Sequence, residues 1–148
     1  MIQYVAGLMF SPDLDHVVLI EKQKPDWQKG KYNAIGGKIE KGETPIRAMV
    51  REFEEEAFIR TKTSDWKSIC AFGTKDYQVT FFYCTNKNWR SCSSRTEEQV
   101  FLLPVNDVHT IRNKMIDNLN WLIPMCVDIA TRYSGEIRTT GISLAPYF

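Results

Sequence analysis

The chain has 148 residues, enough for one domain that buries its own core without a disulfide or metal staple. Apolar residues make up 43% and charged residues 25%, which excludes a disordered, collagen-like or coiled-coil chain. The net charge of +1 gives no global field that would draw the protein onto nucleic acid or a membrane surface. Val5 to Phe10 and His16 to Lys22 are apolar, β-rich runs separated by Ser11-Pro12-Asp13, and they predict a hairpin or two neighbouring strands. Gln23 to Lys31 is polar, with Pro25, Trp27 and Gly30, and predicts a loop. Tyr32 to Ile39 predicts a short strand interrupted by Gly36-Gly37, and Thr44 to Ala57 a helix. Asp65 to Gly73 and Gln78 to Thr85 predict two more strands, with a polar loop following from Trp89 to Thr96. Val100 to Leu103 predicts a strand stopped by Pro104 to Asp107, and His109 to Arg132 a second helix in which Pro124 is a kink or break. The tail, 133–148, is without a firm assignment, a last strand being one reading. Strands mixed with two segregated helices predict an α+β or layered α/β/α domain.

The start, MIQYVAGLMFSPD, lacks the basic segment and cleavage site of a signal peptide, and no apolar run approaches the roughly 18 residues of a membrane span. A cytoplasmic location is expected. The four cysteines, Cys70, Cys84, Cys92 and Cys126, include no CxxC pair, and the two histidines stand far apart. Reduced, packing thiols are therefore expected rather than a zinc site.

The stretch GGKIEKGETPIRAMVREFEEEAFI carries the chemistry. Thr44 is a good N-cap, and Pro45 falls at the first helical position, where its missing N–H costs nothing. Ile46, Met49, Val50, Phe53 and Ala57 follow helical spacing and form an apolar face. Glu52, Glu55 and Glu56 fall within an arc of roughly 100° on another face. Like charges at these spacings repel, and no Lys or Arg is interspersed from 52 to 59. A solvated acidic face is the plain reading. The sharper one is a site for a hard divalent cation, which takes carboxylates, water and substrate phosphate together. Gly36-Gly37 allow close backbone approach, and Arg51 can hold one carboxylate with a forked contact.

These residues also stand in the register of a known pattern. Gly37, Glu43, Arg51-Glu52-Phe53, Glu55-Glu56 and Ile59 match the Nudix box, G-x5-E-x7-R-E-U-x-E-E-x-G-U, where U is an apolar residue. The chain resembles the Nudix hydrolase family, and the order of strands extends the likeness over about residues 3 to 130. The resemblance implies a Nudix-like α/β/α sandwich with a mixed β-sheet, formed by the chain as a single domain. It implies hydrolysis of a pyrophosphate bond in a nucleoside diphosphate derivative, with magnesium, or manganese, as cofactor. It places Glu52, Glu55 and Glu56 as metal ligands, with Gly36 or Gly37 adding a backbone carbonyl. Arg51 and Glu43 orient the acids. A box glutamate or one from a later loop serves as base, which puts Glu55, Glu56 and Glu98 among the catalytic candidates. Glu97-Glu98 has an exposed charge pair as its alternative reading. Phe58 stands where the family has glycine, and its apolar neighbours Ala57 and Ile59 predict a buried ring that a glycine substitution would cost dearly.

On the substrate side, Lys22, Lys24, Lys29 and Lys31 are candidates to neutralise phosphates. Trp27, Tyr77 and Tyr83 are candidates to stack on a base. Trp121 to Met125 reads as core or as a wall of a base pocket. The expected partner is a small nucleotide; neither a membrane nor a stable nucleic-acid partner is expected, and a homodimer is left open. The alternatives are a Nudix-fold module that senses a nucleotide without cutting it, and an interaction domain whose acidic helix docks a basic partner.

Overall fold

A computed structural model describes residues 1–132. Seven strands form one mixed sheet: β1 (Ile2–Phe10), β2 (His16–Glu21), β3 (Tyr32–Asn33), β4 (Ile35–Lys38), β5 (Lys67–Gly73), β6 (Tyr77–Thr85) and β7 (Gln99–Pro104). Among the described residues two α-helices, α1 (Pro45–Ala57) and α2 (Leu119–Arg132), lie on opposite faces. β1 runs parallel to β6 along its whole length, from Ile2↔Tyr77 to Phe10↔Thr85. Its other edge is shared: Tyr4 to Gly7 pair with β4, and Met9-Phe10 with β2. β2 is shared in the same way, pairing with β1 at Val17-Val18, with β3 at Ile20-Glu21, and with β7 along its far edge. The sheet thus forks between β1/β4 and β2/β3, where the sequence predicts one short strand over Tyr32 to Ile39 interrupted at Gly36-Gly37; the break lies at Ala34 instead. Ala34 marks the switch, because the two halves of that run pair with different partners.

Side-chain alternation along β1 divides the core. Val5 and Met9 face α1, with Met49, Phe53, Ile35 and Phe82. Leu8 and Phe10 face the other layer, with Leu119, Leu122, Ile123 and Cys126 of α2. Met49 and Phe53 are fully buried, each contributing about 2–3 kcal/mol of apolar burial. This two-faced packing is the α/β/α sandwich the sequence predicts. All four cysteines are free and buried, and burial pushes the thiols of Cys70 and Cys92 up to about 12, so they pack rather than react.

Three expectations change. The run His109 to Arg132 is not one helix: a 3₁₀ segment (Val105–Lys114) precedes α2, and Met115 to Asn118 separate them. Pro124 lies inside α2 without ending it. The Trp89 to Thr96 loop is less polar than it reads, since Trp89 is buried and stacks on His16 at 4.6 Å. Phe58 is the third. It caps α1 in the left-handed region, with φ 56° and ψ 35°, and its N–H bonds the Glu54 carbonyl at 3.1 Å. Its ring is 56% exposed rather than buried, with the Arg95 guanidinium 3.4 Å above the ring centroid. The reason is geometric: a left-handed cap turns the chain away from the helix's apolar face. Phe58→Gly is therefore expected to remove about 1 kcal/mol of left-handed strain and to give up about 0.5 kcal/mol of exposed cation–π contact. A melting midpoint unchanged or raised by up to about 3 °C is the expected result. A fall of several degrees would show that the Arg95 contact outweighs the strain.

Candidate functional site

The acidic strip is built by α1 and the turn before it. Thr44 Oγ1 accepts from the Arg47 N–H, and Pro45 opens the helix. Gly42, at φ 83°, turns the chain so that Glu43 comes back onto the helix. Arg51 then ties the strip together. Its Nε and Nη2 donate to the two oxygens of Glu43, both at 2.9 Å, and Nη1 to Glu52 Oε1 at 2.7 Å and Glu55 Oε2 at 3.3 Å. Nη2 also reaches the Lys38 carbonyl at 3.0 Å, which fixes the helix to the end of β4. Arg51 holds the Glu43 carboxyl below the usual carboxylate range, and Glu43 in turn raises the guanidinium.

Glu52 is 8% exposed. Burial pushes its carboxyl up, against the pull of Arg51. It lies against Gly37: a Cβ there would come within 2.4 Å of its carboxylate, so any side chain at 37 would push the carboxylate out of its place. Glu56 is more exceptional. Its Oε2 is buried with no hydrogen-bond partner, and burial pushes the carboxyl up to about 7, with Glu98, Glu52 and Glu55 adding and Lys22 opposing. Glu55 is the exposed member.

Glu98 precedes β7, and the β2–β7 pairing (Glu21↔Gln99) brings it to the same end of the sheet. Its Oε1 accepts from Lys22 Nζ at 2.7 Å, and Oε2 from the Gln23 N–H. These donors hold its carboxyl low despite partial burial. Glu97, its neighbour, makes only an exposed contact of 3.6 Å with Lys24. Among the described residues, no three Asp, Glu, His or Cys side chains stand close enough to grip a metal as they are. Arg51 takes up oxygens of Glu52 and Glu55, and Lys22 one of Glu98.

Beside the strip, the sheet fork opens a cavity of about 490 Å³. Gly36 and Gly37 form part of its wall, and Gly37 also lies against the Glu52 carboxylate. Tyr4, Lys22, Lys24, Trp27, Asn33, Phe72, Tyr77 and Asn118 also line it. The volume and the mixture of aromatic and amide groups suit a small organic ligand. Trp27 is 66% exposed at its mouth.

A model of the NUDIX domain matches residues 2–122. The chain belongs to the NUDIX family. Among solved structures, a MutT from work on Aliivibrio salmonicida and Vibrio cholerae is 27% identical, with a TM-score of 0.63 over 74% of this chain and 84% of that one. A NUDIX-family hydrolase from Clostridium perfringens has a TM-score of 0.67 at 17% identity, over 86% of this chain and 97% of that one. The MutT protein from Bacillus halodurans has 0.63 at 20%, over 84% and 80%. The last two, at that identity, speak for the fold alone. With the family established, this is a Nudix-type hydrolase.

Within this Nudix chain, Arg51, Glu52, Glu55 and Glu56 share one face of α1, Gly37 lies against it, and Glu98 is brought in by β7. Trp27 and Tyr77 both line the cavity, as do Lys22 and Lys24, but not Lys29 or Lys31. Tyr83, a stacking candidate by sequence, is 6% exposed in the core beneath α2 and lines no part of the cavity. Leu122 and Ile123 are core, while Trp121 packs edge-on against Phe72 at 5.1 Å behind the cavity wall. Asn33 and Asn118 are additions that the sequence reading missed. Asn118 immediately precedes α2, its carbonyl accepts from the Leu122 N–H, and its side-chain oxygen is buried with no partner. An asparagine before an apolar helical run is a cap signal. Placing the helix start at His109 hid it.

Proposed function

We propose that this Nudix hydrolase cuts the diphosphate bond of a small nucleotide, with a divalent cation, magnesium or manganese, held on the acidic strip and the nucleoside in the adjoining cavity. The chain acts as a single domain. The observation that carries the reading is the partnerless, buried Oε2 of Glu56, one helical turn from buried Glu52, whose carboxylate lies against Gly37 of the cavity wall. Only hard oxygen donors are offered there, which is the donor set such cations take. Glu52, Glu55 and Glu56, with the Gly37 carbonyl, are the ligands in this reading. The cation, when bound, neutralises the diphosphate and acidifies water.

The chain's own groups do the rest. Arg51 keeps Glu43, Glu52 and Glu55 oriented toward one side of the helix. Lys22 and Lys24 meet phosphate charge at the cavity edge. Trp27 and Tyr77 stack on the base, and the Asn118 side-chain oxygen accepts from an N–H on its edge. Glu98, held by the Gln23 N–H, takes the proton of the attacking water as the P–O bond to the leaving phosphate breaks.

The test is a hydrolysis panel with magnesium or manganese. It spans nucleoside triphosphates (oxidised ones included), ADP-ribose, dinucleoside polyphosphates and nucleotide sugars, with the products identified. Cleavage of at least one class to a phosphate-terminated nucleotide is expected, and no turnover of any would overturn the reading. Calcium is expected to bind yet to support less than about a tenth of the magnesium rate, because it takes the same oxygens at longer range and acidifies water less. Equal rates in the two metals would exclude acidified water as the nucleophile.

A further inference from the structure

Lys22 belongs to both halves of the site. Its side chain lines the cavity, and its ammonium donates to Glu98 Oε1 at 2.7 Å, in a pair whose side chains are only 17% and 12% exposed. Its backbone is held from both sides: its N–H bonds the Lys31 carbonyl at 2.9 Å, and its carbonyl accepts from the Gly30 N–H at 2.8 Å. The main chain at Lys22 is therefore anchored, and any movement is confined to the four-carbon side chain. Glu98 has a second anchor in the Gln23 N–H, so it keeps its place if the ammonium leaves. Glu56 lies within electrostatic reach of both, with its buried Oε2 unpartnered.

We propose that Lys22 is a positioning residue with two stations. Its ammonium pairs with Glu98 when no divalent cation is on the strip, and when the cation binds it turns into the cavity to receive a substrate phosphate. This rests on the reading of the strip as a metal site. The physical reason is competition: an ammonium and a divalent cation repel, so a cation on the strip disfavours an ammonium held beside it on Glu98. Lysine is suited to the task, since its compact charge rides on a flexible stem, whereas a forked guanidinium would hold the carboxylate at two points. The arrangement links the two ligands. The cation releases Lys22 toward phosphate, and phosphate, by holding Lys22, leaves the acids clear for the cation, so each strengthens the other's binding.

Calorimetric titration with Mn2+, without nucleotide, tests this on wild type, Lys22→Met and Lys22→Arg. Lys22→Met is expected to bind Mn2+ about tenfold more tightly than wild type, because its competitor is gone, with Lys22→Arg more weakly than wild type, because its fork holds Glu98 more firmly. With inorganic pyrophosphate added at saturating Mn2+ the order reverses, and Lys22→Met binds the pyrophosphate about tenfold more weakly than wild type. A pair that merely braces the fold would give Lys22→Met a lower melting midpoint and no gain in Mn2+ affinity. Unchanged or weaker Mn2+ binding by a folded Lys22→Met overturns this inference alone. Wild type that binds no Mn2+ in either titration overturns the metal-site reading and the inference with it. In the Glu98→Gln background the gain from Lys22→Met is expected to shrink several-fold; a gain of undiminished size would place the ammonium elsewhere and overturn the shared station.

Discussion

Glu56→Gln is expected to raise the stability of the metal-free protein at pH 8 while removing at least about 99% of its turnover. Burial pushes the Glu56 carboxyl from the ordinary value of 4.5 up to about 7. A carboxyl whose folded value is raised favours the fold fully below the unfolded value. That advantage is lost as pH climbs from about 4.5 to about 7, and above this the buried charge is a constant cost. The full shift corresponds to about 3 kcal/mol, and allowing for the water that still reaches the side chain leaves about 1–2 kcal/mol. Glutamine has the same shape and no charge at any pH. Its metal-free melting midpoint is therefore expected to lie about 2–6 °C above wild type at pH 8 and to match it at pH 4. Activity moves the opposite way, because the variant lacks a ligand charge and its reach for the cation falls by one to two orders of magnitude. Melts with a chelator at the two pH values, with turnover at saturating magnesium, check both halves. Coincident melts at pH 8 would mean that the carboxyl is well hydrated. Near-normal turnover would remove Glu56 from the reaction.

Arg51→Ala is expected to be the most damaging single change in the strip. The guanidinium is the one group that touches Glu43, Glu52 and Glu55 at once and also secures α1 to β4. Glu52, at 8% exposure, would be left as a buried charge without its counter-ion. Removing one partner of such a pair costs about 3–5 kcal/mol, which corresponds to a fall of about 6–15 °C in midpoint. Glu52 can escape the cost by taking a proton, so the loss should shrink as pH falls. Arg51→Lys restores a charge but not the forked contact to Glu43, and it should recover only part of the stability. The decisive comparison is the double variant Arg51→Ala/Glu52→Gln, measured by urea unfolding at pH 8. Recovery of about half of the loss or more would show that an unpaired Glu52 is the cause; no recovery would assign the cost to the lost anchor on Lys38.

These effects rest on a part of the molecule that is legible from local sequence. Thr44, Pro45 and the glutamates of α1 lie within one helix, where spacing alone sets which side chains share a face. Elsewhere the geometry depends on pairings between distant segments. Glu98 meets Lys22 only because β2 and β7 lie side by side, a register nothing in either segment announces. The cavity exists because the run through Ala34 divides between two strands, so Asn33, Phe72 and Asn118 converge from three regions of the chain. Phe58 misled for another reason. Its apolar neighbours argue for burial, but the cap's left-handed backbone decides where the ring points. Tyr83 and Trp89 show the same limit, since burial of an aromatic depends on the layer packed over it.

The parallel pairing of β1 with β6 bears on how the chain is made. β1 leaves the ribosome ahead of the other described elements, yet its longest partner begins roughly 70 residues later. At bacterial or eukaryotic elongation speeds of about 5–20 residues per second, the nascent strand waits several seconds with one edge open. That edge belongs to an apolar stretch, Val5 to Phe10, of the kind that seeks other unpaired strands. β4 emerges much sooner and closes the opposite edge over Tyr4 to Gly7, so α1 and its acids can assemble on a partial sheet while the far half is still being synthesised. Slow codons between β4 and β6 would prolong the vulnerable interval, and chaperone dependence during synthesis should track that delay rather than the stability of the finished protein.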